Sequence, residues 1–102
     1  MDYVGGPAGL IVYGHHACGL ARMLAEALAE RHIDHEWRDV LNGEPRFREE
    51  LRRLARGHLS VPTVIFPDGT VMVEPLPEVV LVLLCHFDVS RRFEVRCHKL
   101  AP

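Results

Sequence analysis

The sequence predicts an α/β fold built as a single domain, and three observations carry that reading. Gly9-Leu10-Ile11-Val12-Tyr13-Gly14 is a short apolar run with β-branched and aromatic residues, the composition of a buried strand, and a glycine closes it. From Leu20 the spacing changes. Leu20, Met23, Leu24, Ala27, Leu28 and Arg31 recur three and four apart, which is the rhythm of a helix with one apolar face. Ile33–Val40 then alternates, with Ile33, His35, Trp37 and Asp39 on one parity and Glu36, Arg38 and Val40 on the other. It reads as a second strand parallel to the first, joined by a right-handed βαβ crossover.

The remaining elements follow in order. Residues 1–8 are rich in glycine and proline and form a flexible lead-in. The first helix spans about Gly19 to Arg31 and is rich in strong helix formers. Asn42-Gly43-Glu44-Pro45 is a turn, and Pro45 suits the first position of a helix that runs to about Arg56 and stops at Gly57. Phe47, Leu51, Leu54 and Ala55 form its narrow apolar stripe. Its charges, Arg46, Arg48, Glu49, Glu50, Arg52, Arg53 and Arg56, read as a solvated face, with a docking patch for an anionic partner as the sharper alternative. Pro62 can open a strand but not run through one, so Thr63–Phe66 is a strand. Pro67-Asp68-Gly69 turns it into a hairpin partner at Thr70–Val73. Residues 78–87 are apolar nearly all round, and periodicity alone leaves helix and strand both open, while a proline at an N1-like position and Glu78 in the first turn favour helix. Residues 88–102 form a C-terminal extension in which Phe93, Val95 and Cys97 alternate with Glu94, Arg96 and His98, hinting at an added edge strand. The domain proper is 9–87.

Composition narrows the function classes. The chain has 102 residues, 48% hydrophobic and 25% charged, the profile of an ordinary globular domain with one core. A net charge of −2 supplies no basic field for nucleic acid. No apolar run reaches the length of a membrane span, and the N-terminus lacks the pattern of a signal peptide. Three cysteines, at 18, 85 and 97, make no secreted disulfide framework, so a reducing, cytoplasmic location is expected.

Cys18 falls in the turn between the first strand and the first helix. The unpaired amides and positive pole of a helix start stabilise an anion, and a thiolate is one. The alternative is a small buried hydrophobe, the commoner fate of a cysteine. His15 and His16, when protonated, would add positive charge beside the sulfur, or they are simple solvent-facing loop residues. Cys85 sits in the apolar run and reads as core. Neither His15-x-x-Cys18 nor Cys85-His86 with Cys97-His98 has a standard zinc spacing, so no metal site is expected.

Val12-Tyr13-Gly14-His15-His16-Ala17-Cys18-Gly19, followed by a helix, resembles the active-site segment of glutaredoxins, where an aromatic residue precedes the reactive cysteine by five positions. Ser60-Val61-Pro62-Thr63-Val64-Ile65-Phe66-Pro67-Asp68-Gly69-Thr70 resembles the family's second signature, in which a cis Val-Pro opens a strand and a turn leads to the last strand. The short bacterial glutaredoxins of mycoredoxin type are the most similar in flavour, and the resemblance covers residues 9 to 84. It implies a thioredoxin-like, glutaredoxin-type fold with a four-stranded mixed sheet flanked by about three helices, and it favours helix for residues 78–87. It implies Cys18 as catalytic residue, with Val61, Pro62, Tyr13, His15, His16 and Glu74 as thiol-binding residues. Pro62 would face Cys18 across the cleft and turn the Val61 backbone toward a bound thiol; an ordinary trans turn proline is the plainer reading. Glu74 falls where family members that use glutathione hold its γ-glutamyl carboxylate, and a negative residue there sits badly with ordinary glutathione recognition.

One departure from the family governs the chemistry. The second cysteine, three after the first, is Ala21, so C-x-x-C becomes Cys18-Gly19-Leu20-Ala21. A dithiol site resolves its own mixed disulfide, whereas a single thiol needs an outside one. The expected function is a monothiol redoxin that reduces mixed disulfides between proteins and a low-molecular-weight thiol. Glutathione or mycothiol would be its co-substrate, with no tightly bound cofactor. Its partners would be an S-thiolated client protein or a small thiol, with no nucleic acid or membrane, and the chain would be a monomer or weak dimer. The alternative is a non-catalytic thioredoxin-fold module, either binding an iron–sulfur cluster or interacting with proteins through a vestigial site.

Overall fold

The computed structural model describes residues 9–91. The lead-in at 1–8 and most of the extension, including Phe93, Val95, Cys97 and His98, lie outside the described residues. The elements run β1 (Ile11–Gly14), α1 (Gly19–Glu30), β2 (Glu36–Asp39), α2 (Pro45–Leu54), β3 (Thr63–Ile65), β4 (Val71–Val73) and α3 (Pro77–Arg91). The four strands form one mixed sheet in the order β2-β1-β3-β4. β1 pairs with β2 in parallel and with β3 antiparallel, and β3 pairs with β4 antiparallel.

The parity of each strand decides which layer it serves. Leu10 just before β1 and Val12 on it, Val64 on β3 and Phe66 just after it, and Met72 on β4 point to the face covered by α1 and α3. There they meet Leu24, Leu28, Val80, Leu81 and Leu84. Ile11, Tyr13 and Ile65 point to the opposite face, where α2 supplies Leu51 and Phe47. The register holds this sorting across the sheet, with Val12 opposite Val64 and Ile11 opposite Ile65.

Expected elements and observed ones agree in type and order, with four differences. β2 begins at Glu36 rather than Ile33, because residues 31–35 form a turn and coil in which His32 takes a positive φ of 55°. α2 ends at Leu54, and its chain leaves through Arg56 and Gly57, both left-handed at φ 56° and 89°. The 78–87 run is helical, and α3 continues to Arg91, past the expected boundary at 87. The charged face of α2 is not wholly solvated: Glu50 is 7% exposed and faces inward, where it meets Arg38 from β2, itself 5% exposed.

Those two charges organise the α2 face. Arg38 Nη1 donates to Glu50 Oε1 and to Tyr13 Oη at 2.8 Å each, while Tyr13 donates its hydroxyl to Glu50 Oε1 at 2.7 Å. Arg38 Nε donates to Glu36 at 2.6 Å, and Arg46 donates to the second oxygen of Glu50 at 2.7 Å. Both of these buried charges thus have partners, the condition under which buried ions are tolerated. Burial, reinforced by the bond to Glu50, pushes the Tyr13 phenol well above its ordinary value. Burial works against the Glu50 charge too, but the Tyr13 hydroxyl and the Arg38 and Arg46 guanidiniums hold its carboxyl below the usual range.

Candidate functional site

Three chain segments meet at one end of the sheet, and topology brings them there. β1 and β4 both run toward that end, and β3 starts from it, with Thr63 paired to Tyr13 and to Val73. The loop after β1, the residues before β3 and the residues after β4 therefore come together.

Cys18 caps the first of these segments. It has extended backbone angles (φ −92°, ψ 120°) and immediately precedes α1. Its amide donates to the His15 carbonyl at 3.2 Å, closing the loop, and its carbonyl accepts from the Arg22 amide at 3.0 Å, opening the helix. The amides of Gly19, Leu20 and Ala21 find no acceptor among the described residues, and the first turn carries no acid. The thiol thus sits at the uncompensated positive end of a helix.

The second segment faces it. Cys18 Sγ lies 3.6 Å from the Val61 carbonyl, to which it donates. The Val61–Pro62 bond is cis. Thr63 Oγ1 donates to the Ser60 carbonyl at 2.8 Å and pins the loop that precedes it. The third segment is tied to the second: the Glu74 amide donates to the Pro62 carbonyl at 2.7 Å, which extends the β3–β4 ladder by one rung and sets Glu74 opposite Pro62. Glu74 is exposed and left-handed, at φ 54°.

Of the residues expected at the site, Cys18, Val61, Pro62 and Glu74 are brought together, with His15 and His16 in the loop that leads to the thiol. Tyr13 is not among them. It is fully buried, on the α2 face of the sheet, with its hydroxyl committed to Glu50 and Arg38. The physical reason is strand parity. Tyr13 and Gly14 point to opposite faces, and the site grows from the end of the strand rather than from Tyr13. His15 is half-buried with its Nδ1 enclosed and unpartnered among the described residues. Cys85 is half-buried and packs against the core under α1 and α3, away from this end. Among the described residues no three His, Cys, Asp or Glu side chains gather as a metal ligand set.

One residue beside the site escaped the sequence reading. Trp37 on β2 packs its ring where a Gly14 Cβ would stand, 2.8 Å from that position, with the Ala21 methyl 3.2 Å from it. The exposed His16 ring stacks on Trp37 with centroids 5.3 Å apart and planes 25° from parallel. Asp39, two residues on, accepts from the Leu41 and Asn42 amides at 2.8 and 2.7 Å. The Asn42 amide, with smaller help from Leu41 and from the His16 and His15 rings, holds its carboxyl below the usual range against partial burial. Gly14 was the available signal, since a buried strand that ends on glycine leaves room for a neighbour's ring.

The arrangement has a counterpart among solved structures. The crystal structure of the glutaredoxin from Methanosarcina mazei Go1 matches with a TM-score of 0.52 at 26% identity. This is the glutaredoxin-type, thioredoxin-like fold. The match covers 63% of this chain and 65% of that one, so it spans just under two thirds of the neighbour's length. No protein-family model and no curated protein matches the chain. No helix among the described residues is long and apolar enough to cross a membrane.

Proposed function

We propose that this glutaredoxin-like chain is a monothiol redoxin that reduces mixed disulfides between proteins and a low-molecular-weight thiol. The observation that carries the reading is Cys18 at the start of α1, with its sulfur 3.6 Å from the Val61 carbonyl beside Pro62. The Cys18 thiolate attacks the small-thiol sulfur of the client's disulfide. An S–S bond forms at Cys18, the old S–S bond breaks, and the client leaves as a thiolate that takes up a proton. A second small-thiol molecule, as thiolate, then attacks the adduct. It regenerates the Cys18 thiolate and leaves joined to the first as the small-thiol disulfide, so one free small thiol is consumed for each client thiol released.

Ala21 supports the single-thiol form of this cycle. It is fully buried where the family carries its second cysteine, and a methyl cannot attack the adduct. Glutathione or mycothiol would serve as the small thiol, with an S-thiolated protein as client.

The test is exchange with a model mixed disulfide, followed by mass spectrometry of the protein. Cys18→Ser is expected to abolish adduct formation and turnover, and Cys85→Ser to leave both nearly intact. If Cys18→Ser exchanges as fast as the parent, the chain is a non-catalytic module of this fold instead.

A further inference from the structure

We infer that Glu74 sets the charge specificity of this site: it disfavours thiol adducts that carry a carboxylate and favours aminothiols. The inference rests on Cys18 being the exchanging thiol and names the class of adduct the cleft accepts; of the two small thiols proposed above it speaks against glutathione, which carries two carboxylates and one ammonium.

Two helices, α1 and α3, start at the same end of the sheet, because β1 and β4 point the same way. Around the sulfur the groups are positive or polar. The amides of Gly19, Leu20 and Ala21 are unpartnered among the described residues, and Arg22, one helical turn after Cys18, is exposed with no ion pair among them. On the other side of the Val61–Pro62 rung the sign reverses. Pro77 begins α3 without an N–H, and the amides of Val79 and Val80 already donate to the Leu76 carbonyl at 3.0 and 3.2 Å. Glu78 is the only residue of that turn whose amide has no acceptor among the described residues, and its side chain is an exposed acid. Glu74, opposite Pro62, adds a second exposed carboxylate with no ion pair among them. A helix start that would ordinarily attract an anion keeps one unpartnered amide, that of Glu78, among the described residues and has gained two negative charges.

With Val61 against the sulfur and Glu74 paired across from Pro62, a small thiol bound to Cys18 that runs along this segment brings its far end to Glu74. A carboxylate on its far end meets like charge there, and an ammonium meets opposite charge. For charges about 8 Å apart in water, one such pair changes a rate about two- to threefold. The contrast between a cation and an anion is therefore about fivefold.

Three symmetric disulfides of similar length test this: cystamine, 2-hydroxyethyl disulfide and 3,3′-dithiodipropionate, whose halves are cationic, neutral and anionic. In each reaction the Cys18 thiolate takes one half as an adduct and releases the other as a thiolate. The single-turnover rate is read by mass spectrometry with the adduct mapped to its cysteine. Taking the ratio of Glu74→Gln to parent for each disulfide cancels the intrinsic reactivity of the leaving thiol. Glu74→Gln is expected to speed the anionic probe and slow the cationic one, with the neutral probe between them and a spread of about fivefold. In about 0.5 M salt the spread should collapse toward one, because charges several ångströms apart are then screened. The inference is overturned if the three ratios agree within error at low salt, or if the anionic probe is the one slowed. Those results leave the redoxin reading intact, since the adduct still maps to Cys18. An adduct that forms equally well in Cys18→Ser overturns the redoxin reading, and the inference with it.

Discussion

The two faces of the sheet solve the same packing problem by different chemistry. Under α1 and α3 the contact is apolar throughout, from Leu10 and Val12 to Phe66, Val80 and Leu84, all nearly or fully buried. Under α2 an apolar ring of Ile11, Leu51 and Ile65 surrounds charges: Arg38 and Glu50 are buried with the Tyr13 hydroxyl between them. The Arg38 guanidinium also lies 5.5 Å from the centroids of both the Tyr13 and Phe47 rings. The apolar face is stabilised by area and tolerates any side chain of the right volume. The charged face depends on complete pairing, so it places Arg38 and Tyr13 more narrowly. The difference explains why Tyr13, five residues before Cys18, serves the scaffold and not the cleft.

Substitutions on each side sharpen this contrast. Phe66→Ala on the apolar face is expected to have the largest effect, a loss of about 4 kcal/mol from transfer and cavity terms together. Urea unfolding at neutral pH measures it, and the loss should be the same at pH 5, since no charge is involved.

Glu50→Ala on the charged face should cost about 3 kcal/mol, toward the low end for breaking a buried pair because Glu36 still bonds Arg38. Its signature is pH dependence. Glu50 has a folded-state pKa below its ordinary value of 4.5, so its linked stabilisation is fully present above that value. As the pH falls through the folded-state value it is lost. The parent and Glu50→Ala stability curves should therefore converge on acidification, whereas the parent and Phe66→Ala curves should stay parallel. Convergence in both pairs, or in neither, would erase the distinction between the faces.

Gly14→Ala joins the apolar face to the site. The added methyl would stand 2.8 Å from the Trp37 ring and 3.2 Å from the Ala21 methyl, so the ring must shift. A cost of about 2 kcal/mol is expected from overpacking. Trp37 is the sole tryptophan, so a change in its emission reports the disturbed stack with His16. Unchanged emission would mean that the ring has space the structure does not show.

Tyr13→Phe should have the smallest effect, about 1 kcal/mol, because Arg38 and Glu50 remain paired without the hydroxyl. Disulfide exchange at Cys18 should keep its parent rate. A large drop in exchange with little loss of stability would put Tyr13 back in the thiol-binding set.

What the sequence by itself determined is the order and type of the elements and the setting of the thiol. These are local properties. Leu10–Tyr13 is apolar in either direction along the chain, the rhythm from Leu20 to Leu28 admits one helical face, and Cys18 lies where the two periods meet. Pro62 could only open its strand, and Gly69, at φ 94°, could close its turn. The run from Pro77 onward has no period to read, being apolar on every side, so its helix was legible only from the proline at its start, Glu78 in its first turn and the family resemblance.

The tertiary structure decided everything that joins distant residues. Glu50 among the arginines of α2 has the composition of a solvated face, and only the meeting of α2 with β2 shows that it is the partner of Arg38, 12 residues away. Trp37 became a neighbour of the thiol loop through the parallel pairing of β1 with β2, which sets it opposite Val12, next to Gly14. Glu74 came to stand across from Pro62 through the β3–β4 hairpin. In each case the deciding quantity is a pairing across the sheet, and a side chain's burial and charge environment depend on that pairing rather than on its neighbours in sequence.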